Sequence, residues 1–273
     1  MKRHLVFLGV LLLMLSLAVG VSSAKLYTVV DSGQTYIEYQ DEDGVPLLII
    51  DDDEGVTVTS STAWYTLFDD FMWFTEGDIW ATTEDADKTG TDGIMDVVGG
   101  VYQNYCDGDD NDESYCISAG ESFKFATGKK LWFEARLRVD EANTDDANVI
   151  VGLMDNAGAD ALLDNGGGPA ASYDGAVFCK VDGGTKWQFE TSNASDQETT
   201  AEVAAYADDT FVKLGFYFDG ATSITPYVNG TAGTAHTISL TGLEEMHLFF
   251  GIKAGGTNEE SIEIDYVLCT QLR

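Results

Sequence analysis

The stretch of sequence that decides the fold is Leu131-Trp132-Phe133-Glu134-Ala135-Arg136-Leu137-Arg138-Val139. Its odd-numbered positions are all apolar, and its even-numbered positions after Trp132 are all charged. Successive side chains of a β-strand point to opposite faces, so this alternation predicts a strand with one buried and one solvated face. Such a strand belongs to an antiparallel sheet, because strands of parallel sheets are apolar on both faces.

The same two-residue period returns in three later segments. Their predicted inward-facing residues are Val212, Leu214, Phe216 and Phe218; Met246, Leu248, Phe250 and Ile252; and Ile262, Ile264, Tyr266 and Leu268. Turn signals separate the strands: Asp182-Gly183-Gly184 divides two of them, and Asn229-Gly230 predicts a hairpin, since a type I′ turn needs positive φ at both positions. Many short strands joined by such turns predict an all-β protein, an antiparallel β-sandwich.

Five segments carry a further resemblance. They are Phe68-Asp69-Asp70-Phe71 with Trp80 downstream, Leu131-Trp132-Phe133-Glu134-Ala135-Arg136-Leu137, Val149-Ile150-Val151-Gly152-Leu153-Met154-Asp155, Pro226-Tyr227-Val228-Asn229-Gly230 and Ile264-Asp265-Tyr266-Val267. In this order, over residues 63–273, they resemble the concanavalin A-like (laminin-G-like) jelly roll. The resemblance implies a domain like those of secreted lectin-like proteins, phage particle surface proteins and extracellular filament subunits. One fold serves many functions, so the resemblance implies no particular site.

The charge of the chain excludes one class of function. Its 273 residues include 47 Asp and Glu against 14 Lys and Arg, which gives a formal net charge of −33. Phosphate backbones are bound through clustered basic side chains, so the sequence predicts no nucleic-acid partner. The acidity does not predict disorder, because 44% of the residues are hydrophobic and supply enough apolar surface for a core.

Residues 1–24 have the pattern of a secretory signal peptide. Lys2 and Arg3 form a basic start, residues 5–19 are apolar, and small residues precede a cleavage site after Ala24. The alternative is a membrane anchor, but the apolar run is shorter than the ~20 residues that span a bilayer. Cleavage removes two basic residues and leaves 12 basic against 47 acidic ones, a net charge of −35. We therefore expect a secreted protein with no membrane segment after cleavage.

Residues 25–62 form a strand-forming N-terminal arm. Its three apolar stretches are Leu26-Tyr27-Thr28-Val29-Val30, Tyr36-Ile37-Glu38-Tyr39 and Leu47-Leu48-Ile49-Ile50. They are too few to make a core, so they either extend the sandwich of their own chain or add as a donor strand to a neighbouring subunit. The second arrangement makes a head-to-tail fibre when the rotation does not close. An arm before a β-sandwich also resembles secreted filament subunits of the pilin-like donor-strand type.

Four cysteines in a chain that we expect to be secreted predict a disulfide framework. Cys106 and Cys116 flank a short hydrophilic loop that a disulfide closes easily, which leaves Cys179 to pair with Cys269. The last two lie in predicted strands, so the alternative is that they are small buried apolar residues.

Catalytic motifs matter because the concanavalin A-like folds include glycosidases. Those that resemble the laminarinase group carry Glu-x-Asp-x-x-Glu on one strand. The best candidate is Glu263-Ile264-Asp265-Tyr266-Val267-Leu268, in which Leu268 stands where the general acid is required. A serine hydrolase needs a base, and neither His236 nor His247 lies in a hydrolase motif. The sequence therefore predicts that the protein is not an enzyme.

One acidic loop predicts a metal site. Asp107, Asp109 and Asn111 match the first three positions of the Asp-x-Asp-x-Asn pattern that wraps Ca²⁺, and Glu113 adds a further carboxylate. The pattern then fails, because Asp112 stands where Gly is expected. The loop is thus either a Ca²⁺ site or a solvated acidic loop, and a divalent cation would relieve the repulsion among its carboxylates. The sequence predicts no other cofactor.

Carbohydrate is the other candidate ligand. Exposed aromatic side chains on a sandwich can stack on sugar rings, and Trp132 alone lies on the charged face of its strand, so it is the predicted carbohydrate-binding residue. Asn193 and Asn229 each begin an Asn-x-Ser/Thr sequon in a predicted turn, which predicts glycosylation at both. Asn229 is also explained by its hairpin turn.

Together these features predict a non-enzymatic extracellular structural protein, a self-assembling subunit of a fibre or particle surface. Its partners are then copies of itself, joined by strand addition of the arm. The alternative is a secreted lectin-like module whose partners are glycans. So acidic a surface resists casual association, and any polymer is therefore expected to depend on salt or Ca²⁺.

Overall fold

The computed structural model describes residues 64–84, 92–141 and 145–273 in full and the backbone of three strands before them. The chain divides into two compact units, residues 1–63 and residues 64–273. The predicted signal peptide, residues 1–24, lies outside the described residues. No helix long and apolar enough to cross a membrane occurs in the described part of the chain.

The first unit contains one antiparallel sheet. Its strands are β1 (Lys25–Asp31), β2 (Gln34–Gln40) and β3 (Pro46–Asp51). They pair in the order β1-β2-β3, with Lys25 opposite Gln40 and Tyr36 opposite Asp51. The predicted arm strands therefore pair with one another in a sheet of their own unit. Their addition to a neighbouring subunit stays a prediction.

The second unit is all-β over its described residues. Its first strands are β4 (Trp64–Asp69), β5 (Trp80–Glu84), β6 (Gly93–Ile94), β7 (Tyr102–Cys106), β8 (Glu113–Ser118), β9 (Leu131–Glu141), β10 (Asn148–Met154), β11 (Leu162–Leu163) and β12 (Gly168–Pro169). The remaining strands are β13 (Gly175–Lys180), β14 (Lys186–Asn193), β15 (Asp196–Ala205), β16 (Val212–Phe218), β17 (Ser223–Val228), β18 (Thr231–Ala232), β19 (His236–Thr237), β20 (His247–Lys253) and β21 (Glu260–Leu272).

Most of these strands form two antiparallel sheets. The seven-stranded sheet has the order β15-β14-β13-β10-β20-β8-β5. The nine-stranded sheet has the order β18-β17-β16-β9-β21-β7-β6, with β19 paired to β17 and β4 paired to β21. Strand β9, whose alternation predicted the fold, lies in the middle of this sheet, between β16 and β21. The antiparallel sandwich predicted from the sequence is confirmed.

The core lies between the two sheets and follows the predicted alternation. All the odd-numbered residues of β9 from 131 to 139 are buried, and the even-numbered ones before Asp140 are partly exposed. Phe133 of β9 stacks on Phe216 of β16 with ring centroids 4.9 Å apart. Phe189 of β14 reaches Phe216 from the opposite sheet at 5.9 Å. Burying a ring of this size stabilises the fold by about 1.5–3 kcal/mol.

The predicted pattern fails in the second half of β21. Ile262 and Ile264 face the core as predicted, but Val267 and Cys269 follow them there in place of Tyr266 and Leu268. The register of β21 against β9 shifts between Ile264 and Tyr266, which marks a β-bulge. One extra residue moves every later side chain to the opposite face of the sheet, so the alternation changes phase at this point.

Residues 155–173, which we call the strap, cover the outer face of the seven-stranded sheet. The strap carries β11 and β12, and its Ala161, Leu162 and Tyr173 pack on a second apolar cluster. The sheet contributes to this cluster Tyr115, Ile117, Ile150, Met154, Val177, Cys179 and Phe249. The central strands β13, β10, β20 and β8 of the seven-stranded sheet are therefore apolar on both faces.

Polar contacts hold the strap in place. Lys253, whose side chain is 2% exposed, lies 2.6 Å from Asp164 and 3.2 Å from Glu113. The backbone N–H of Asp160 donates to Glu113 at 3.0 Å. The hydroxyl of Tyr173 donates to Glu190 at 3.0 Å. Lys253, Glu113, Tyr173 and Glu190 are buried, whereas the strap residues Asp160 and Asp164 are exposed. The strap is therefore attached to the sheet through partners that are themselves buried.

Candidate functional site

The outer face of the nine-stranded sheet carries the candidate site. Trp132 lies there on β9, partly exposed and outside the core. Tyr217 of β16 is its register partner. Tyr227 of β17 meets its ring edge-on, with centroids 5.1 Å apart. We call Trp132, Tyr217 and Tyr227 the aromatic platform.

A glycine makes the platform possible. Gly215 of β16 lies in register between Glu134 of β9 and Tyr227 of β17. A Cβ atom at Gly215 would lie 3.5 Å from Cζ2 of Trp132 and 2.7 Å from the carbonyl oxygen of Phe133. The Cβ atom would make an ordinary contact with the indole at 3.5 Å but would clash with the Phe133 carbonyl at 2.7 Å, so the glycine allows β16 to lie close to β9. The missing side chain lets Trp132 extend across β16 toward Tyr227.

Hydrogen-bonding side chains flank the aromatic platform. Glu134 accepts a hydrogen bond from the Tyr266 hydroxyl at 2.6 Å and lies 3.5 Å from the ammonium of Lys213. Burial and the neighbouring Glu134 carboxylate raise the pKa of Tyr266, so its hydroxyl stays protonated and remains a donor. An aromatic surface with a few placed donors and acceptors is the chemistry that binds neutral polar ligands such as sugars.

Residues 263–268, the candidate catalytic segment that the sequence argued against, lie on the same sheet and take part in a ladder of ion pairs. Nε of Arg138 lies 2.5 Å from Glu263, and Nη1 of Arg136 lies 2.6 Å from Asp265. The Arg136 guanidinium also lies 4.1 Å above the ring centre of Phe211. Hydrogen bonding to Glu263 raises the pKa of Arg138. These two carboxylates are neutralised by arginines, as expected for a structural role.

The predicted Ca²⁺ loop brings together a different set of ligands. Carboxylate oxygens of Asp107, Asp109 and Asp112 lie within 4.8 Å of one another. Two oxygens bound to one Ca²⁺ at 2.3–2.6 Å are at most about 5 Å apart, so the three carboxylates fit one hard cation. The turn that converges them is closed by a hydrogen bond from the N–H of Asp112 to the carbonyl of Asp109. Asp112, which breaks the sequence pattern, is thus one of the candidate ligands.

Two predicted Ca²⁺ ligands lie elsewhere. Asn111, in a left-handed conformation with φ of 70°, accepts a hydrogen bond from the N–H of Asn165 in the strap. Glu113 pairs with Lys253 and accepts from Asp160, also on the strap side. Because side chains alternate along β8, the side chain of Glu113 points away from the loop of residues 107–112. Both side chains are thus engaged with the strap or with Lys253, and their coordination of Ca²⁺ stays a prediction.

A buried group of charges lies between the sheets near this loop. Lys180 of β13 donates to Glu141 at 2.6 Å and to the carbonyl of Ala147 at 2.9 Å. Glu260 lies beside Glu141 in the strand register, 1% exposed, and neither carboxylate oxygen has a hydrogen-bond partner. Burial, and next the charge of Glu141, raise the pKa of Glu260 to about 8. Glu260 is therefore mostly protonated at neutral pH.

Both histidines of residues 25–273 have structural surroundings. The ring of His236 is buried between Thr191 at 3.1 Å and Thr200 at 2.8 Å, and burial lowers its pKa. His247 is half-buried, and its Nδ1 lies 2.7 Å from the carbonyl oxygen of Ser118. The contacts of His236 with Thr191 and Thr200 are those of a buried core histidine. In the described part of the chain, neither ring shows the nucleophile arrangement of a hydrolase.

All four cysteines are buried free thiols, so neither predicted disulfide is formed. Cys106 and Cys116 lie on β7 and β8, which belong to opposite sheets, and Cys106 donates to the carbonyl of Ile252 at 3.3 Å. Cys179 packs under the strap whereas Cys269 packs in the core between the sheets. Burial raises the pKa of Cys179 and of Cys269, which makes them unreactive. The alternative expectation, small buried apolar residues, describes these two cysteines.

The two predicted glycosylation sites differ in their surroundings. The Asn193 amide donates to the carbonyls of Ser239 at 2.8 Å and Thr241 at 3.0 Å, so a glycan there requires both bonds to break. Asn229 is exposed at the tip of the hairpin between β17 and β18, with φ of 49°, and Gly230 follows with φ of 80°. The predicted two-residue hairpin turn is confirmed. Glycosylation of either residue stays a prediction.

Solved structures of the same architecture come from lectins and from enzymes. An endo-1,3-beta-glucanase from Streptomyces sioyaensis superposes with a TM-score of 0.55 at 12% identity, over 79% of this chain and 99% of that one. Peanut lectin gives 0.52 at 14%, over 76% and 97%. The carbohydrate recognition domain of Emp46p, in its metal-free form, gives 0.52 at 9%, over 75% and 95%. No family model matches the sequence, and no curated protein matches it significantly.

Likeness at these identities establishes the fold. The chain has a concanavalin A-like jelly roll, as the resemblance implied. The prediction that the protein is not an enzyme is wrong, because the glucanase, an enzyme, shares this fold. The fold serves enzymes and non-enzymes alike, and it therefore argues for neither.

Proposed function

We propose that residues 64–273 form a lectin-like carbohydrate-binding domain whose glycan lies on the aromatic platform. The observation that carries the proposal is the contact of Trp132 with Tyr227 across Gly215, on a sheet face where both rings are partly exposed. Sugar rings present apolar C–H faces and a rim of hydroxyls. The platform supplies the aromatic surface, and the carboxylate of Glu134 and the ammonium of Lys213 supply hydrogen-bonding partners.

The charge of the protein narrows the class of glycan. A net charge of −33 repels polyanionic chains that carry uronate or sulfate groups, so the proposed ligand is a neutral glycan. The lectin and glucanase neighbours, which share only the fold, support a carbohydrate ligand over the fibre role expected first. The proposal concerns binding, and it holds for a lectin and for an enzyme that holds its substrate here.

Secretion and cation binding complete the proposal. The signal-peptide pattern of residues 1–24 supports export. The converging carboxylates of Asp107, Asp109 and Asp112 support one divalent cation such as Ca²⁺, which would hold the loop between β7 and β8 in its folded shape. The Emp46p domain is known in a potassium-bound form, which adds modest support for a metal in this architecture.

A glycan array followed by calorimetry on the best neutral glycan tests the binding proposal. We expect Trp132→Ala to weaken affinity at least about ten-fold, as loss of an aromatic anchor does, while thermal unfolding stays close to that of the parent. Trp73→Ala, which removes an exposed tryptophan from another surface, is the matched control and should leave the glycan affinity unchanged. Equal affinity of the Trp132→Ala and parent proteins would disprove the platform.

Thermal unfolding with and without Ca²⁺ tests the cation proposal. Addition of Ca²⁺ to the chelated protein should raise the melting temperature, because an ion that binds only the folded state stabilises it. Asp112→Asn should reduce this rise, and Asp164→Asn, which removes a carboxylate on the strap, should leave it intact. A melting temperature that does not change on addition of Ca²⁺ would rule the site out.

A further inference from the structure

A second surface is exposed, apolar and ordered. Met72 and Trp73 lie on the loop of residues 70–79, and they are 59% and 78% exposed. Val97 and Val98 lie on the loop of residues 95–101, and they are half exposed and fully exposed. We call these two segments the apolar loop pair. Exposed apolar patches on a folded domain mark interaction sites more often than chance.

The two loops contact each other. The backbone of Gly100, with φ of 76°, lies directly against Phe71 of the other loop, since a Cβ atom on Gly100 would be 2.6 Å from the carbonyl oxygen of Phe71. Phe71 is fully buried and contacts Tyr102 at 5.4 Å between ring centroids and Trp80 at 5.7 Å. The backbone contact and the shared aromatic cluster therefore hold together the two loops that carry the four exposed apolar side chains.

The loop that carries Trp73 is held firmly. The carboxylate of Asp69 accepts hydrogen bonds at 2.8 Å from the N–H of Phe71 and from Nε1 of Trp80. Phe71 has a φ of 50°, a conformation that is uncommon for a bulky residue and that persists only when its surroundings fix it. A loop fixed in this way presents Met72 and Trp73 without the entropy cost of ordering them on binding.

The apolar loop pair has an acidic rim. Asp70, Glu76, Asp78 and Asp96 are exposed on the same two loops. Residues 64–84 and 92–106 contain no Lys or Arg. Surfaces that dock on cell membranes commonly add basic residues for anionic lipids, and these two described segments supply none. Charge complementarity points to a partner that carries both apolar and basic side chains.

We propose that the apolar loop pair docks a basic amphipathic segment of a partner protein. Its apolar side chains cover Met72, Trp73 and Val98, and its Lys or Arg side chains meet the carboxylates of the rim. A cationic side chain is also attracted to the face of an exposed indole such as Trp73. This surface shares no residue with the aromatic platform, so the proposal stands independently of glycan binding.

The test uses the full chain and two labelled helical peptides, one built of leucine and lysine and its twin built of leucine and glutamate. We expect fluorescence polarisation to show binding of the lysine peptide that weakens with salt, and no binding of the glutamate twin. Equal binding of the twin would overturn the proposal, and so would a lysine-peptide affinity weaker than about 1 mM. Binding only to phosphatidylcholine vesicles would overturn it in favour of a bilayer.

Variants locate the site. Trp73→Ala and Val98→Ser should each weaken the lysine peptide, the first at least about ten-fold, and Asp70→Asn with Asp96→Asn should reduce the salt dependence. Leu163→Ala removes an exposed apolar side chain from the strap and serves as the control. Because all the substituted residues are exposed, circular dichroism should match the parent. Unchanged affinity in the Trp73→Ala protein would place the peptide elsewhere and refute the assignment.

Discussion

The two outer faces of the sandwich differ in what covers them. The face of the seven-stranded sheet carries an apolar cluster, and the strap buries it completely. The face of the nine-stranded sheet carries the aromatic platform and a ladder of ion pairs, all partly open to water. The strap covers the outer face of the smaller sheet, whereas the side chains of the aromatic platform on the larger sheet remain partly exposed. A segment of the chain itself therefore decides which of the two described faces is buried.

A pair of lysines gives the largest expected contrast between the faces. Lys253→Met leaves Glu113 buried without its cation, so we expect a loss of about 3–5 kcal/mol in the free energy of unfolding. Lys213→Met removes a half-exposed partner of Glu134 on the open face and should cost about 0–1 kcal/mol. Urea unfolding of both variants makes the comparison. Similar losses in the two variants would show that the pair of Lys253 and Glu113 is not buried beneath the strap.

Two adjacent leucines of the strap test whether the strap packs on the seven-stranded sheet. Leu162 is fully buried and Leu163 is 37% exposed. Leu162→Ala should cost about 2–5 kcal/mol, because it removes buried methyl groups and leaves a cavity, whereas Leu163→Ala should cost well under half of that. The midpoint of urea denaturation reports both. Equal midpoints for the two variants would mean that the strap does not pack on the sheet as described.

The interior between the sheets offers a smaller, pH-dependent effect. Glu260 holds its proton with a pKa of about 8 in the folded protein, and near its ordinary value of 4.5 when unfolded. The folded state thus binds more protons between these values, so the stability contributed by Glu260 falls as pH rises from about 4.5 to 8. Glu260→Gln should flatten this fall and make the protein more stable than its parent above pH 8. An unchanged slope across this range would contradict the assignment.

The fold was predictable because its signal is local and repeated. Strict alternation in β9, together with the Asn229-Gly230 turn, requires a half-buried antiparallel sheet whatever its partners are. The bulge of β21 was not predictable in the same way. It inserts one residue after Ile264 with no glycine or proline to mark it, and the phase of the strand becomes visible only against β9.

The candidate site was predictable in part. The sequence predicted Trp132 as a site residue because it is aromatic and lies on the charged face of its strand. It did not predict Tyr217 or Tyr227. A signal for Tyr227 existed, because the buried Ile224 and Pro226 indicate that Tyr227 alternates outward. Asp112 was missed, because a motif written along the chain cannot show which carboxylates a turn brings together. Disulfides were predicted from spacing alone, and spacing carries no information about which sheet each cysteine enters.

Charge and two-residue periodicity act within a few residues, so they are enough to specify an acidic, all-β chain built as a sandwich. Which described sheet face is buried is specified only by long-range contacts. That outcome depends on where the strap returns, on how strands of distant sequence align, and on the gap that Gly215 leaves beneath Trp132. Each of these is a contact between residues far apart in the chain, and alternation along one strand cannot specify it.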